Sequence, residues 1–202
     1  SIHAREENNW LPDMDELRAA VTDKTKLLIL NTPSNPTGAV YPMDLLEQIA
    51  ALAQERDFLV LSDEVYEKLV FDNAVHKSIA ALPGMKERTI TVNGFSKAFA
   101  MTGWRMGYVA ASADLILPML KVHQYAVASS NIIAQSAATA ALRSGEACVD
   151  EMRQEYARRR AFLLDAFAQI PEISCVPPSG TFYIYPNVSG TGLTGSAFAN
   201  RL

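Results

Sequence analysis

The chain has 202 residues, 49% hydrophobic and 20% charged, and its 18 basic and 22 acidic side chains leave a formal net charge of −4. That length supplies enough apolar material for a packed core in one domain, or in one domain and part of another. The acidic balance excludes a basic footprint for nucleic acid or for an anionic membrane surface, so a small-molecule partner is the expectation.

In chain order, Asp13 followed by Glu16 has the form of a capping box, opening a short helix that carries Leu17 and Val21. Strands are expected at Lys26–Asn31, Phe58–Ser62 and Arg88–Val92, with a fourth at Trp104–Ala111. Between the first two, Pro42 opens a helix with Leu45, Leu46, Ile49 and Ala53 on one face, the form of a crossover helix. Alternation of such runs with helical periodicity is the pattern of an α/β domain with a largely parallel sheet. After Ser112 helices dominate, at Asp114–Val127, Asn131–Arg143 and Glu146 to Ile170, the last ended by Pro171. The uncharged run from Tyr125 to Leu142 is interrupted by Ser129, Ser130, Asn131, Gln135, Ser136 and Thr139, too polar for a spanning helix, so no membrane partner is expected. Strands at Ile173–Val176 and Thr181–Tyr185 would pair around residues 177–180 and begin a second domain, dividing the chain into 1–150 and 151–202. The chain opens without methionine and stops inside what reads as an unfinished helix at 196–202, so it is expected to be a fragment. Cys148 and Cys175 lie far from each other and from any histidine at ligand spacing, which predicts no disulfide framework, no bound metal and a cytoplasmic setting.

Parallel sheets bind ligands at the carboxyl ends of their strands. Here the first strand runs into Asn35-Pro36-Thr37-Gly38, the second into Asp63-Glu64-Val65-Tyr66 and the third into Asn93-Gly94-Phe95-Ser96-Lys97. Singly, each has a structural account: a turn, a helix cap, a half-buried aromatic, a surface lysine. Arg105, inside the fourth predicted strand, is harder to explain, because a buried charge needs a partner and a bound anion would be one. Gly190-Thr191-Gly192-Leu193-Thr194-Gly195 matches a dinucleotide fingerprint, but residues 186–189 intervene where a tight strand-to-helix turn is required, so it reads as a turn-rich loop.

Together the motifs Asn35-Pro36-Thr37-Gly38, Asp63-Glu64-Val65-Tyr66, and Ser96-Lys97 followed by Gly103-Trp104-Arg105-Met106-Gly107-Tyr108 resemble the class I aminotransferase family of fold type I pyridoxal-phosphate enzymes. Gly180-Thr181-Phe182-Tyr183 looks like the family's small-domain strand, so the resemblance covers nearly the whole chain. It implies a three-layer α-β-α large domain and the start of a smaller α+β domain. It also implies pyridoxal 5′-phosphate as cofactor and transfer of an amino group between an L-amino acid, aspartate first, and a 2-oxo acid. Lys97 would form the Schiff base and shuttle the proton. Asp63 would face the pyridine nitrogen, Tyr66 and Asn35 the ring's 3′ oxygen, Asn35 also the substrate carboxylate, and Arg105 the phosphate. Where many relatives carry a phosphate-binding hydroxyl this chain has Gly94, which leaves its backbone N–H or the Ser96 hydroxyl to replace it. The resemblance also implies a homodimer. A C–S β-lyase or cyclopropane-forming synthase of the same fold shares these motifs, as does the pyridoxal-phosphate-sensing domain of some transcriptional regulators.

Overall fold

The computed structural model describes residues 2–202. Its first helix, α1 (Met14–Ala20), begins at Asp13, whose carboxylate accepts from the N–H groups of Asp15 at 2.8 Å and Glu16 at 3.1 Å. Glu16 turns to Arg5 instead of back to the cap, so only the Asp13 half of the expected box forms. Asp13→Ala is expected to cost about 1 kcal/mol, the ordinary worth of an N-cap, read as a lowered denaturation midpoint.

Four strands lie side by side in chain order: β1 (Leu27–Asn31), β2 (Leu59–Asp63), β3 (Thr89–Gly94) and β4 (Gly107–Ala110). The first three are parallel and β4 runs antiparallel to β3. Asn31 is in register with Asp63, and Asp63 with Val92, so three carboxyl ends reach one edge together. The crossover α2 (Met43–Glu55) buries Leu45, Leu46, Ile49, Ala50, Leu52 and Ala53 against Leu30, Phe58, Val60, Ile79 and Met85. Each fully buried Leu or Ile there contributes about 1.5–3 kcal/mol. The two-residue period of β1 decides its faces: Leu28 and Leu30 turn to this core, whereas Leu27 and Ile29 point the other way and Ile29 is 69% exposed. Apolar residues also stay exposed on α3 (Ala113–Val127), among them Leu117, Val122 and Tyr125. Helices α4 (Ile132–Ser144) and α5 (Glu146–Phe167) follow, with a two-stranded ribbon of β5 (Ser174–Cys175) and β6 (Pro186–Asn187), and α6 (Gly195–Ala199).

Several expectations are corrected. The fourth strand starts at Gly107; Thr102–Trp104 form a 3₁₀ turn and Arg105 follows it with φ +54°, exposed at the surface. Arg105 is therefore no buried strand charge, and its guanidinium needs no bound anion to compensate burial. The long helix stops at Phe167, where the Ala168 N–H returns to Leu164 and Ala166, three residues before Ile170. Residues 181–185 are not a strand: Thr181, at φ +66°, breaks the extended backbone, and the pairing passes to β5 with β6. The final helix ends at Ala199. Of the glycine-rich stretch, residues 190–194 lie in a 3₁₀ turn and loop, in line with the turn reading, and Gly195 opens α6.

Candidate active site

The site is built where the three aligned strand ends meet a loop returning from the far end of the chain. Asn31 closes β1: its Nδ2 donates to the Asp63 carbonyl at 3.4 Å, and its Oδ1 accepts from the Asn35 N–H at 2.8 Å. This side chain, unremarked in the sequence, fixes where the Asn35 loop leaves the sheet. Asn35 itself is exposed, and among the described residues its side chain has no hydrogen bond to Lys97 or Tyr66. The Gly38 carbonyl accepts from the N–H groups of Ser179 at 3.0 Å and Gly180 at 2.9 Å, which docks residues 179–181 onto the loop. A side chain at Gly38, where φ is +72°, would place its Cβ 2.2 Å from that of Pro178, so only glycine allows this approach.

On β2 the alternation puts Ser62 and Glu64 on the side of the main core and Asp63 on the other. Asp63 Oδ1 accepts from the Val65 N–H at 3.2 Å, a turn contact that leaves its second oxygen available. Glu64, buried behind it, accepts from the hydroxyls of Ser62 at 2.8 Å and Ser78 at 2.7 Å and lies 3.1 Å from His76 Nε2. Burial alone would raise the Glu64 carboxyl, but the hydrogen bonds from His76, Ser78 and Ser62 outweigh it and hold the group below its ordinary value. Glu67 joins the same cluster, within 4.8 Å of Glu64 and His76.

Lys97 follows the end of β3 in a turn pinned by the Met101 N–H on the Phe95 carbonyl at 3.1 Å, with Phe95, Ala98 and Met101 buried around it. Its Nζ sits 5.6 Å from the Tyr66 ring centroid and 5.2 Å from that of Phe182, and among the described residues no carboxylate pairs with it. Tyr66 is buried, and burial, the Tyr183 hydroxyl and the Asp63 carboxylate all push its phenol well above the ordinary value. Phe182 packs against Tyr66, Tyr156 and Tyr183 with ring centroids 4.8–5.4 Å apart. Of the predicted residues, then, Lys97, Tyr66 and Asp63 come together. Arg105 stands apart on the open side, donating to the Thr102 carbonyl at 2.9 Å and lining an open cavity of about 600 Å³. Ser96 is half-buried, and its carbonyl accepts from the Thr102 hydroxyl. The Gly94 N–H is already given to Asn93 Oδ1 at 2.7 Å, so it is not a free anion donor and Ser96 is the remaining alternative. Phe182, Tyr183 and Tyr156 had no site role in the sequence reading, although two aromatics directly after a glycine-containing turn were a usable signal.

The aminotransferase class I and II family profile matches residues 1–202. The chain is 48% identical to the aspartate aminotransferase of Pyrococcus abyssi over 199 residues, 98% of this chain and 51% of that protein. It is 46% identical to aromatic-amino-acid aminotransferase 2 of Thermococcus litoralis, again over 98% of this chain and 51% of that protein. Among solved structures, the aspartate aminotransferase of Thermus thermophilus with maleate superposes with a TM-score of 0.93 at 40% identity, covering 98% of this chain and 52% of that one. The chain thus spans about half the length of the curated relatives it matches. With its mostly parallel sheet and its motifs gathered at the strand ends, the chain belongs to the aminotransferase class I and II family.

Proposed function

We propose that this chain is the lysine-bearing stretch of a pyridoxal-phosphate-dependent aminotransferase that moves an amino group between an L-amino acid and a 2-oxo acid. The observation that carries the reading is Lys97, an amine without a carboxylate partner among the described residues, framed by Tyr66 and Phe182 where three strands end. The donor set fits the cofactor: a primary amine for its aldehyde carbon, a carboxylate for its ring nitrogen, a buried phenol for its ring oxygen and a guanidinium for its phosphate. When bound, pyridoxal phosphate supplies a carbonyl carbon that accepts the amino group and a ring that draws electrons from the substrate Cα.

The chain's own residues do the rest. Lys97 would hold the cofactor through Nζ and would serve as the proton carrier at the substrate Cα. Asp63 keeps the ring nitrogen protonated. Tyr66 and Asn35 orient the ring oxygen, and Asn35 also reaches the substrate carboxylate. Arg105, with one guanidinium nitrogen committed to Thr102, has donors left for the phosphate, with the Ser96 hydroxyl beside it. The large-domain stretch is 1–150, and 151–202 opens the smaller domain. Aspartate is the first amino acid to test, since the relatives are named for aspartate and for aromatic amino acids. The protein works as a homodimer in the cytoplasm; two free cysteines fit a reducing compartment, and no helix among the described residues is long and apolar enough to cross a membrane.

The test uses the full-length protein with pyridoxal phosphate, an amino acid panel led by aspartate, and an added 2-oxo acid. A new amino acid formed from the 2-oxo acid is the expected product. Pyruvate with ammonia and no new amino acid means β-elimination and overturns the aminotransferase reading.

A further inference from the structure

Tyr66 is 2% exposed, so its hydroxyl must find a partner inside the protein. The partner it has is the Tyr183 hydroxyl at 3.2 Å, and the two rings meet edge to face with centroids 5.9 Å apart. Tyr183 arrives from 117 residues away, and the turn before it is tightly held. A Cβ at Gly180 would lie 2.8 Å from Pro33 Cβ and 2.9 Å from Val40 Cγ2, so the backbone there is pressed against the first strand's loop. Next to it, Thr181 is fully buried at φ +66°, its N–H donates to the Leu69 carbonyl at 2.8 Å, and its hydroxyl accepts from the Tyr183 N–H at 3.1 Å. A β-branched residue in the left-handed region is strained. What the strain secures is the direction in which Phe182 and Tyr183 leave the turn, toward Tyr66 and Lys97.

We infer that Tyr183 is a positioning residue, whose hydroxyl holds the Tyr66 phenol beside Lys97 in the orientation that engages the cofactor's ring oxygen. The inference rests on the pyridoxal-phosphate reading above. A phenol has one proton and two lone pairs, and either member of a hydroxyl pair can be the donor. In the structure Tyr66 donates to Tyr183. With the roles exchanged, Tyr183 donates, and the Tyr66 proton is free for an acceptor on the lysine side without any movement of the ring. The charged groups beside Tyr66 are Asp63 from its own loop and Lys97 from the turn after β3, and Tyr183 is the titratable group that returns from the far segment. None of the others can take over this hydrogen bond while keeping the role assigned to it.

The experiment compares the full-length protein loaded with pyridoxal phosphate as wild type, Tyr183→Phe, Tyr66→Phe and the double variant. Tyr183→Phe keeps the ring and removes only the hydroxyl. It is expected to weaken pyridoxal phosphate binding about 3- to 10-fold, the range of one neutral hydrogen bond. It should also raise the pH midpoint of the visible absorption band, because a proton donated beside the lysine nitrogen disfavours protonation of that nitrogen. In the Tyr66→Phe background, adding Tyr183→Phe should change binding and midpoint by less than about twofold and by no measurable shift, respectively, as a pair acting through one contact requires. The inference is overturned if Tyr183→Phe alone changes neither quantity, or changes both equally whether or not the Tyr66 hydroxyl is present; a general folding defect would give the second pattern. Borohydride labelling of the wild type separates the two levels: no label at Lys97 overturns the cofactor reading itself, whereas label at Lys97 with an unaltered Tyr183→Phe protein overturns only the role of Tyr183.

Discussion

Lys97→Ala in the full-length protein is expected to abolish the borohydride-stable attachment of pyridoxal phosphate and to lower turnover by at least about 10²–10⁴-fold, the contribution of a positioned proton carrier alone. Lys97→Arg should do no better, because a guanidinium keeps the charge but cannot give up its proton at working pH. The stability of the cofactor-free protein should barely move. Lys97 Nζ has no hydrogen-bond or ion-pair partner among the described residues, and its aromatic neighbours hold one another through their own contacts. The melting temperature therefore separates a chemical loss from a structural one, since substitutions away from buried networks stay within about 0.5 kcal/mol. Borohydride-reducible cofactor retained on Lys97→Ala would disprove the role given to this lysine.

The second large effect lies behind the end of the neighbouring strand β2, where Glu64 follows Asp63. Glu64→Ala is expected to destabilise the protein by about 3–5 kcal/mol, the cost of breaking a buried charged network by removing one partner. The two hydroxyls and the His76 ring would be left around a hole, and His76 Nδ1 has no hydrogen-bond partner among the described residues. Glu64→Gln keeps the size and one acceptor oxygen and should cost less, so ranking the two variants separates lost volume from lost charge. The pH dependence has a definite sign. The folded Glu64 carboxyl is held below its ordinary value, so it stabilises the native state fully above the unfolded value of about 4.3 and loses that contribution as pH falls toward its folded value. Urea midpoints of wild type and Glu64→Gln should thus converge in the acid range below about pH 4. Parallel midpoints down to the acid limit would show that the charge of Glu64 does not contribute.

The two experiments probe one construction. A strand with period two sends Asp63 to the side of Tyr66 and Glu64 into the network behind it, so adjacent acids carry different tasks. One is exposed enough to meet a ligand; the other is locked to Ser62, Ser78 and His76 and keeps the strand end in place.

Local patterns were sufficient for the first half of the fold. Strands β1 to β3 fall within a residue or two of their expected limits, and α2 buries the stripe predicted from Leu45, Leu46, Ile49 and Ala53. Hydrophobic periodicity and a helix-opening proline are short-range properties, and here the tertiary packing agreed with them. Agreement failed where a backbone angle or a distant partner decided the outcome. Arg105 sits in a row of apolar residues that reads as strand, yet the turn at Thr102–Trp104 and its own positive φ carry it to the surface. Thr181 likewise interrupts a sequence with strong strand propensity, because its amide is drawn to Leu69.

The sequence by itself determined the family motifs, their order and the strand ends from which Asn35, Asp63 and Lys97 project, since each depends on residues close together in the chain. Only the tertiary structure decided that Asn31 stitches two of those ends, that Gly38 receives the loop from Ser179 and Gly180, and that Tyr183 meets Tyr66. Apart from the local Asn31–Asn35 contact, they join segments 32 to 142 residues apart, and no local period encodes which buried hydroxyl or carbonyl a distant group will find.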